Sequence, residues 1–164
     1  MMDDFWLGLC LLLLLTVANN APIGARLLLR ERWNAPLDGG RRFVDGRPLL
    51  GPSKTWRGLA AAVLVTALCA PLLDFSLATG ALAALLSIAG DALASFCKRR
   101  LGIASSGRAF GLDQLPESLL PLLALQPLLG LPATVVLGVT VAFVLLETPA
   151  ARLAHRIGWR DRPY

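Results

Sequence analysis

Long apolar runs alternate with polar, glycine- and proline-rich stretches along this chain. The first run begins at Phe5, is unbroken to Ala18 and carries on to about Leu29, with Pro22 set to bend it. The second extends from Gly58 to Leu73 and the third from Phe75 to Cys97, with Asp74 marking a short turn between them. From Pro116 to Thr148 the chain is apolar again, broken by strongly polar residues only at Glu117, Gln126 and Glu147. Runs of this kind predict bilayer-crossing helices, each needing ~20 apolar residues. The intervening stretch from Arg30 to Arg57 holds Asp38-Gly39-Gly40, Asp45-Gly46-Arg47-Pro48 and Gly51-Pro52, which mark loops and turns. A second polar loop spans Leu101 to Gln114.

Charge decides how the last apolar stretch is divided. All sixteen Lys and Arg residues fall in three windows: Arg26 to Arg57, Lys98 to Arg108, and Arg152 to Arg162. Lys and Arg are retained on the cytoplasmic side of a membrane, so all three windows belong inside. The number of crossings between the second and third windows is then even, and Gly130-Leu131-Pro132 is the natural break. The expected fold is all-α: a polytopic integral membrane protein with five transmembrane helices and polar cytoplasmic loops. Its N-terminus lies outside the cell membrane, and its C-terminus and working face are cytoplasmic. Trp6, Trp33, Trp56 and Trp159 sit near the expected interfaces, as aromatic belts do.

The competing reading of the N-terminus is a cleavable signal peptide, cut near Ala18-Asn19-Asn20-Ala21. Such a segment wants a positive start, and this chain begins Met-Met-Asp-Asp. A retained helix fits better. The 164 residues support one domain over 1–164. The net charge of +5 follows from topology and gives no reason to invoke nucleic acid. Cys10, Cys69 and Cys97 are scattered in apolar runs without a C-x-x-C pair, so neither a zinc site nor a disulfide framework is indicated.

Asp91 is the residue that asks for a function. It lies inside the third run, where a carboxylate is costly and faces a polar cavity or a partner. Ser87, Asp91, Ser95 and Lys98 follow at intervals that put them on one helix face. Asp91 precedes Lys98 by roughly 10 Å at 1.5 Å per residue. The result is a polar furrow leading down from the cytoplasmic surface; an interhelical ion pair is the plainer alternative. Asp113, followed by Gln114, stands where the chain re-enters the membrane. Two such acids on facing helix ends suit Mg²⁺, which takes one or two carboxylates plus substrate phosphates. Lys98, Arg99, Arg100 and Arg108 between them suit phosphate. Gly51-Pro52-Ser53-Lys54-Thr55-Trp56-Arg57-Gly58 adds hydroxyls and cations at a helix start, where anions bind. It is not a Walker A loop, because Pro52 stands where that motif needs Lys. Asn19 and Asn20 at mid-depth need partners in lipid, either across helices or in the furrow. Glu117 and Glu147 fall near span ends, at the interfaces, and His155 lies at the surface.

With these residues in view, the chain resembles the CDP-archaeol synthase family of membrane cytidylyltransferases. The strings that carry the likeness are a loose match around Asn20-Ala21-Pro22, Gly51 to Gly58 with its Lys-Thr-Trp-Arg-Gly core, Gly90-Asp91…Ser95…Lys98-Arg99-Arg100-Leu101-Gly102, and Asp113-Gln114. The larger CDP-diacylglycerol synthases are similar more distantly; their His-Gly-Gly…Asp-Arg signature is absent. The resemblance implies transfer of a cytidylyl group from CTP to a membrane lipid phosphate, with release of pyrophosphate. It implies Mg²⁺ held by Asp91 and Asp113, with Lys54 as a third catalytic group. It further implies substrate binding by Asn20, Ser53, Thr55, Arg57, Ser95, Lys98, Arg99, Arg100 and Gln114. Pro52-Ser53 departs from the acidic-glycine version expected in archaeal members, which leaves the acceptor open between archaeol-type and phosphatidate-type phosphates. The alternative is a non-catalytic membrane scaffold or lipid-binding subunit whose acids pair with Arg. A CDP-alcohol phosphotransferase is disfavoured, because its Asp-Gly…Ala-Arg…Gly…Asp…Asp pattern is missing.

Overall fold

The computed structural model describes residues 3–105, 107, 109–156 and 158. Arg108, Trp159, Arg160 and Arg162, which the charge map and the aromatic belt include, lie outside the described residues. The chain forms five α-helices: α1 (Asp4–Leu29), α2 (Trp56–Cys69), α3 (Leu77–Arg100), α4 (Gln114–Leu129) and α5 (Ala133–Arg156). A 3₁₀ turn, Ala70–Leu73, extends α2 to the tight turn at Asp74, whose φ is +62°. No strand occurs among the described residues; the loop before α2 makes two isolated bridges, Pro36 with Thr55 and Arg42 with Pro48.

Three of the helix starts are set by side-chain caps of the expected chemistry. Asp3 accepts from the Trp6 N–H, Thr55 from Gly58 and Ser76 from Thr79. Gly130 ends α4 in the left-handed conformation, at the break the charge map requires. Four segments are long and apolar enough to cross a membrane: α1, α2 with its 3₁₀ extension, α3 and α5. α4 has 16 residues, or about 24 Å of helix, against a hydrocarbon core of ~30 Å. It nonetheless runs between the same two ends of the bundle as its neighbours. Its first residues wall the polar cavity described below, and its last turn leads to Leu131 in the core at the opposite end.

Between helices in lipid, close packing replaces the hydrophobic drive, so small residues sit at the crossings. A Cβ on Gly80 would fall 2.6 Å from the Ala70 Cβ and 2.7 Å from the Thr66 carbonyl oxygen. A Cβ on Gly90 would fall 2.1 Å from the Pro116 carbonyl oxygen, so α3 and α4 touch backbone to backbone beside Asp91. Leu11, Leu14, Leu15, Phe75, Leu122, Val139 and Phe143 build the larger core. Ala18, Ala62, Ala84 and Ile88 form a tighter one among α1, α2 and α3.

Candidate active site

A cavity of about 440 Å³ opens at the end of the bundle where the two polar loops lie, and all five helices contribute to its wall. α3 supplies Asp91, Ser95, Lys98 and Arg99, three of them from the stripe seen in the sequence. Ser87, the deepest member of that stripe, is fully buried and does not line the cavity. The loop into α2 supplies Ser53, Lys54 and Thr55; the start of α4 supplies Asp113, Gln114 and Glu117. α1 adds Asn19 and Arg26, and α5 adds Glu147 and Thr148.

Inside this space the charges pair across elements. Lys54, from the loop, hydrogen-bonds Asp91 on α3. Lys98 on α3 lies 2.6 Å from an Asp113 carboxylate oxygen, and its ammonium also donates to the Gly107 carbonyl at 3.0 Å. The other Asp113 oxygen accepts from the Ala109 N–H at 3.0 Å. Arg99, nearly buried, donates to the Ala104 carbonyl at 2.8 Å. Gln114 donates to Glu147 at 2.5 Å and accepts from the Gly111 N–H at 2.8 Å, tying α4 to α5. The two acids singled out in the sequence thus share one cavity, and each faces a lysine rather than acyl chains.

Three residues expected to bind substrate are turned elsewhere. Arg57 donates to the carbonyls of Arg30, at 2.5 Å, and Arg32, at 2.8 Å, and to the Asn34 side chain at 3.3 Å. It satisfies the carbonyl end of α1, where a cation is favoured. Arg100 pairs with Asp45 at 3.0 Å and lies against the rings of Phe43 and Phe96, 4.7 and 4.9 Å from their centroids. With Arg47, which donates to the Arg99 and Arg100 carbonyls, it clasps the first loop to the end of α3. Asn20 donates to the Thr16 carbonyl, and Asn19 lines the cavity in its place. Adjacent positions on a helix are about 100° apart, so the two side chains point in different directions.

Glu117 and Glu147, expected at the interfaces, are cavity residues, and so is Arg26, whose charge topology alone would explain. The sequence carries a signal for them: each sits one to four residues from a proline at a span end. Nothing in one-dimensional spacing shows that three such ends converge. Asp38 also lacks a role in the sequence reading. Its buried carboxylate accepts from the N–H groups of Leu50 and Gly51, shaping the loop that delivers Lys54.

A mixed-charge cavity walled by every helix of an apolar bundle is a site for a polar, charged group at membrane depth. Residues 8–164 match the family described as CarS-like: CDP-archaeol synthase. The chain belongs to the CDP-archaeol synthase family. It is 43% identical over 107 residues to the CDP-archaeol synthase of Hyperthermus butylicus, a match covering 60% of this chain and 59% of that protein. The Thermococcus kodakarensis enzyme of the same name is 36% identical over 140 residues, 79% of this chain and 82% of its own length. A solved structure, described as an intramembrane enzyme for archaeal membrane lipids biosynthesis, superposes with a TM-score of 0.73 at 33% identity. That match covers 86% of this chain and 90% of the other. The chain is an integral membrane protein and an enzyme of the nucleotidyltransferase class.

Proposed function

We propose that the cavity is where CTP, reaching it from the cytoplasm, meets a lipid phosphate at headgroup depth, and that the product is a CDP-lipid. The observation that carries this reading is the pairing of two aspartates with two lysines in one cavity at the loop end of the bundle. A phosphate oxygen of the lipid attacks the α-phosphorus of CTP in line; the bond from that phosphorus to the β-phosphate oxygen breaks, and pyrophosphate leaves. A phosphate dianion is already a nucleophile, so no general base is needed. Lys54, Lys98 and Arg99 are the cations placed to accept phosphate oxygens, and Ser53 and Thr55 stand beside Lys54 to orient them. When phosphates take up the two ammonium groups, Asp91 and Asp113 lose their lysine partners.

The charge count of the cavity supports a place for Mg²⁺ in this proposal. Among its described lining residues, Arg26, Lys54, Lys98 and Arg99 are balanced by Asp91, Asp113, Glu117 and Glu147. Such a cavity has no positive surplus with which to hold a triphosphate. Among the described residues no set of three His, Cys, Asp or Glu is grouped as a metal cage. Two carboxylates completed by substrate phosphates match the way Mg²⁺ is held, and Asp91 and Asp113 are the residues that would hold it. Bound there, Mg²⁺ would offset the charge developing on the transferred and leaving phosphates. The acceptor class is a glycerol-based lipid phosphate, archaeol-type or phosphatidate-type.

The test is purified protein with labelled CTP, Mg²⁺ and a panel of lipid phosphates, with label followed into the organic phase. Asp91→Asn and Asp113→Asn should each lower turnover at least ~100-fold, the scale of lost transition-state charge stabilisation. A scaffold protein would show no CTP consumption to lose, and that result would end the reading.

A further inference from the structure

If the acceptor is a lipid phosphate, as the proposed reaction requires, its hydrocarbon must leave the cavity through a seam in the bundle, and the location of that seam rests on the same reading. Three seams are closed by near-contact of main chains or small side chains. A Cβ on Gly58 would lie 3.3 Å from Pro22 between α1 and α2; Gly80 closes α2 on α3; Gly90 closes α3 on α4. In the α1–α5 seam, Gly8 packs against Val135 and Val139. The α4–α5 seam is different. Along its outer side runs an apolar groove of about 390 Å³, with Leu115, Leu119 and Leu123 on one bank and Leu137, Val141 and Leu145 on the other. The α4 residues recur at four-residue intervals and those of α5 likewise, so each bank is one helix face. From Ala133 to Leu145 the groove is roughly 18 Å long at 1.5 Å per residue, more than one leaflet's share of the ~30 Å core.

The groove and the cavity share no lining residue, but along both helices their linings come within one or two residues of each other. Leu115 follows Gln114 in the chain, and Leu145 lies two residues before Glu147. Gln114 and Glu147, which hydrogen-bond each other, both line the polar space, and Leu115 and Leu145 close by in the chain line the apolar one. We infer that this groove is the binding site for a hydrocarbon chain of the lipid phosphate, with the Gln114–Glu147 bridge marking where headgroup ends and chain begins. Polar and apolar spaces lined by neighbouring residues of the same two helices suit one molecule with a charged head and an oily tail. Chain length and branching are then read by α4 and α5, apart from the residues that handle CTP.

The experiment uses the full chain in nanodiscs and two acceptors that differ only in length, digeranylgeranylglycerol phosphate and digeranylglycerol phosphate. Leu137→Trp and Val141→Trp fill the groove at lipid-exposed positions; Leu68→Trp, exposed on α2, is the control. The groove variants should lose at least tenfold in kcat/KM for the long acceptor and less than twofold for the short one, with the control unchanged. Equal losses on both acceptors, or none, would overturn the groove while leaving cytidylyl transfer intact. An unaltered protein inactive on both acceptors and on a phosphatidate would overturn the transfer reading and the groove with it. A second measurement does not depend on turnover. A lipid phosphate with a photoreactive chain end should label α4 or α5, and unlabelled lipid phosphate should compete. Labelling elsewhere, or equal labelling by a phosphate-free analogue, marks ordinary bilayer contact and rejects the site.

Discussion

Asp38 shows how much of the site depends on a residue that never touches it. Its carboxylate accepts the N–H groups of Gly40 and Leu50 at 2.9 Å and Gly51 at 3.1 Å. Burial alone would raise its pKa, but the backbone N–H bonds outweigh it and hold the carboxyl below its ordinary value. A group with a depressed folded pKa stabilises the fold at pH above its unfolded value, ~3.9. That contribution is lost as pH falls through the folded value. Asp38→Ala should therefore cost about 1–3 kcal/mol near neutral pH, the scale of orphaned buried donors. In thermal unfolding of the solubilised protein, the gap to the unaltered chain should shrink as pH drops below ~4. An unchanged gap would assign the loss to packing instead. Asn19 and Asn20 are separated at the same scale: the sequence marks the pair, and only helix rotation chooses the member that faces the cavity.

At the scale of elements, the α3–α4 crossing sets the site. Gly90 precedes Asp91, and its contact with the Pro116 carbonyl fixes how closely the helix carrying Asp91 approaches the one that starts at Gln114. Gly90→Ala forces main chains apart and should destabilise by roughly 1–3 kcal/mol or more. It should also abolish turnover. Gly138→Ala, with nothing within 4 Å of the added methyl, should be neutral or slightly stabilising. Thermal midpoints of the two variants, measured side by side, check the pair; similar losses in both would refute a special role for the crossing. The loop before α2 is held in the same spirit, by Arg100 on Asp45 and by Arg47 on the last carbonyls of α3. Arg100, a phosphate ligand by its sequence context, therefore serves as a clasp.

For the whole molecule, the arrangement puts both polar loops and the C-terminal part of α5 at the cavity end, with the Asp74 turn and Gly130 at the other. The proposed orientation has the cavity end in the cytoplasm. In a background with Cys10, Cys69 and Cys97 replaced, single cysteines at Val44 or Ser53 should be labelled only from the cytoplasmic side. Cysteines at Asp74 or Gly130 should be labelled only from outside. Labelling of Gly130 from the cytoplasmic side would show that α4 does not cross, leaving four crossings, α5 among them, and a C-terminus outside.

The division of labour between sequence and fold comes from range. Periodicity, caps and charge windows are local or cumulative properties, so the five helices, the break at Gly130 and the shared face of Asp91, Ser95 and Lys98 are all written in one dimension. Which charge meets which is set by helix rotation and by contacts between residues tens of positions apart. Lys54 with Asp91, Lys98 with Asp113 and Gln114 with Glu147 therefore exist only once the bundle has closed, as does the apolar groove beside them. Arg57 and Arg100 are the converse: their charge is legible in the chain, but the carbonyls, acid and rings that claim it are brought up by the tertiary structure.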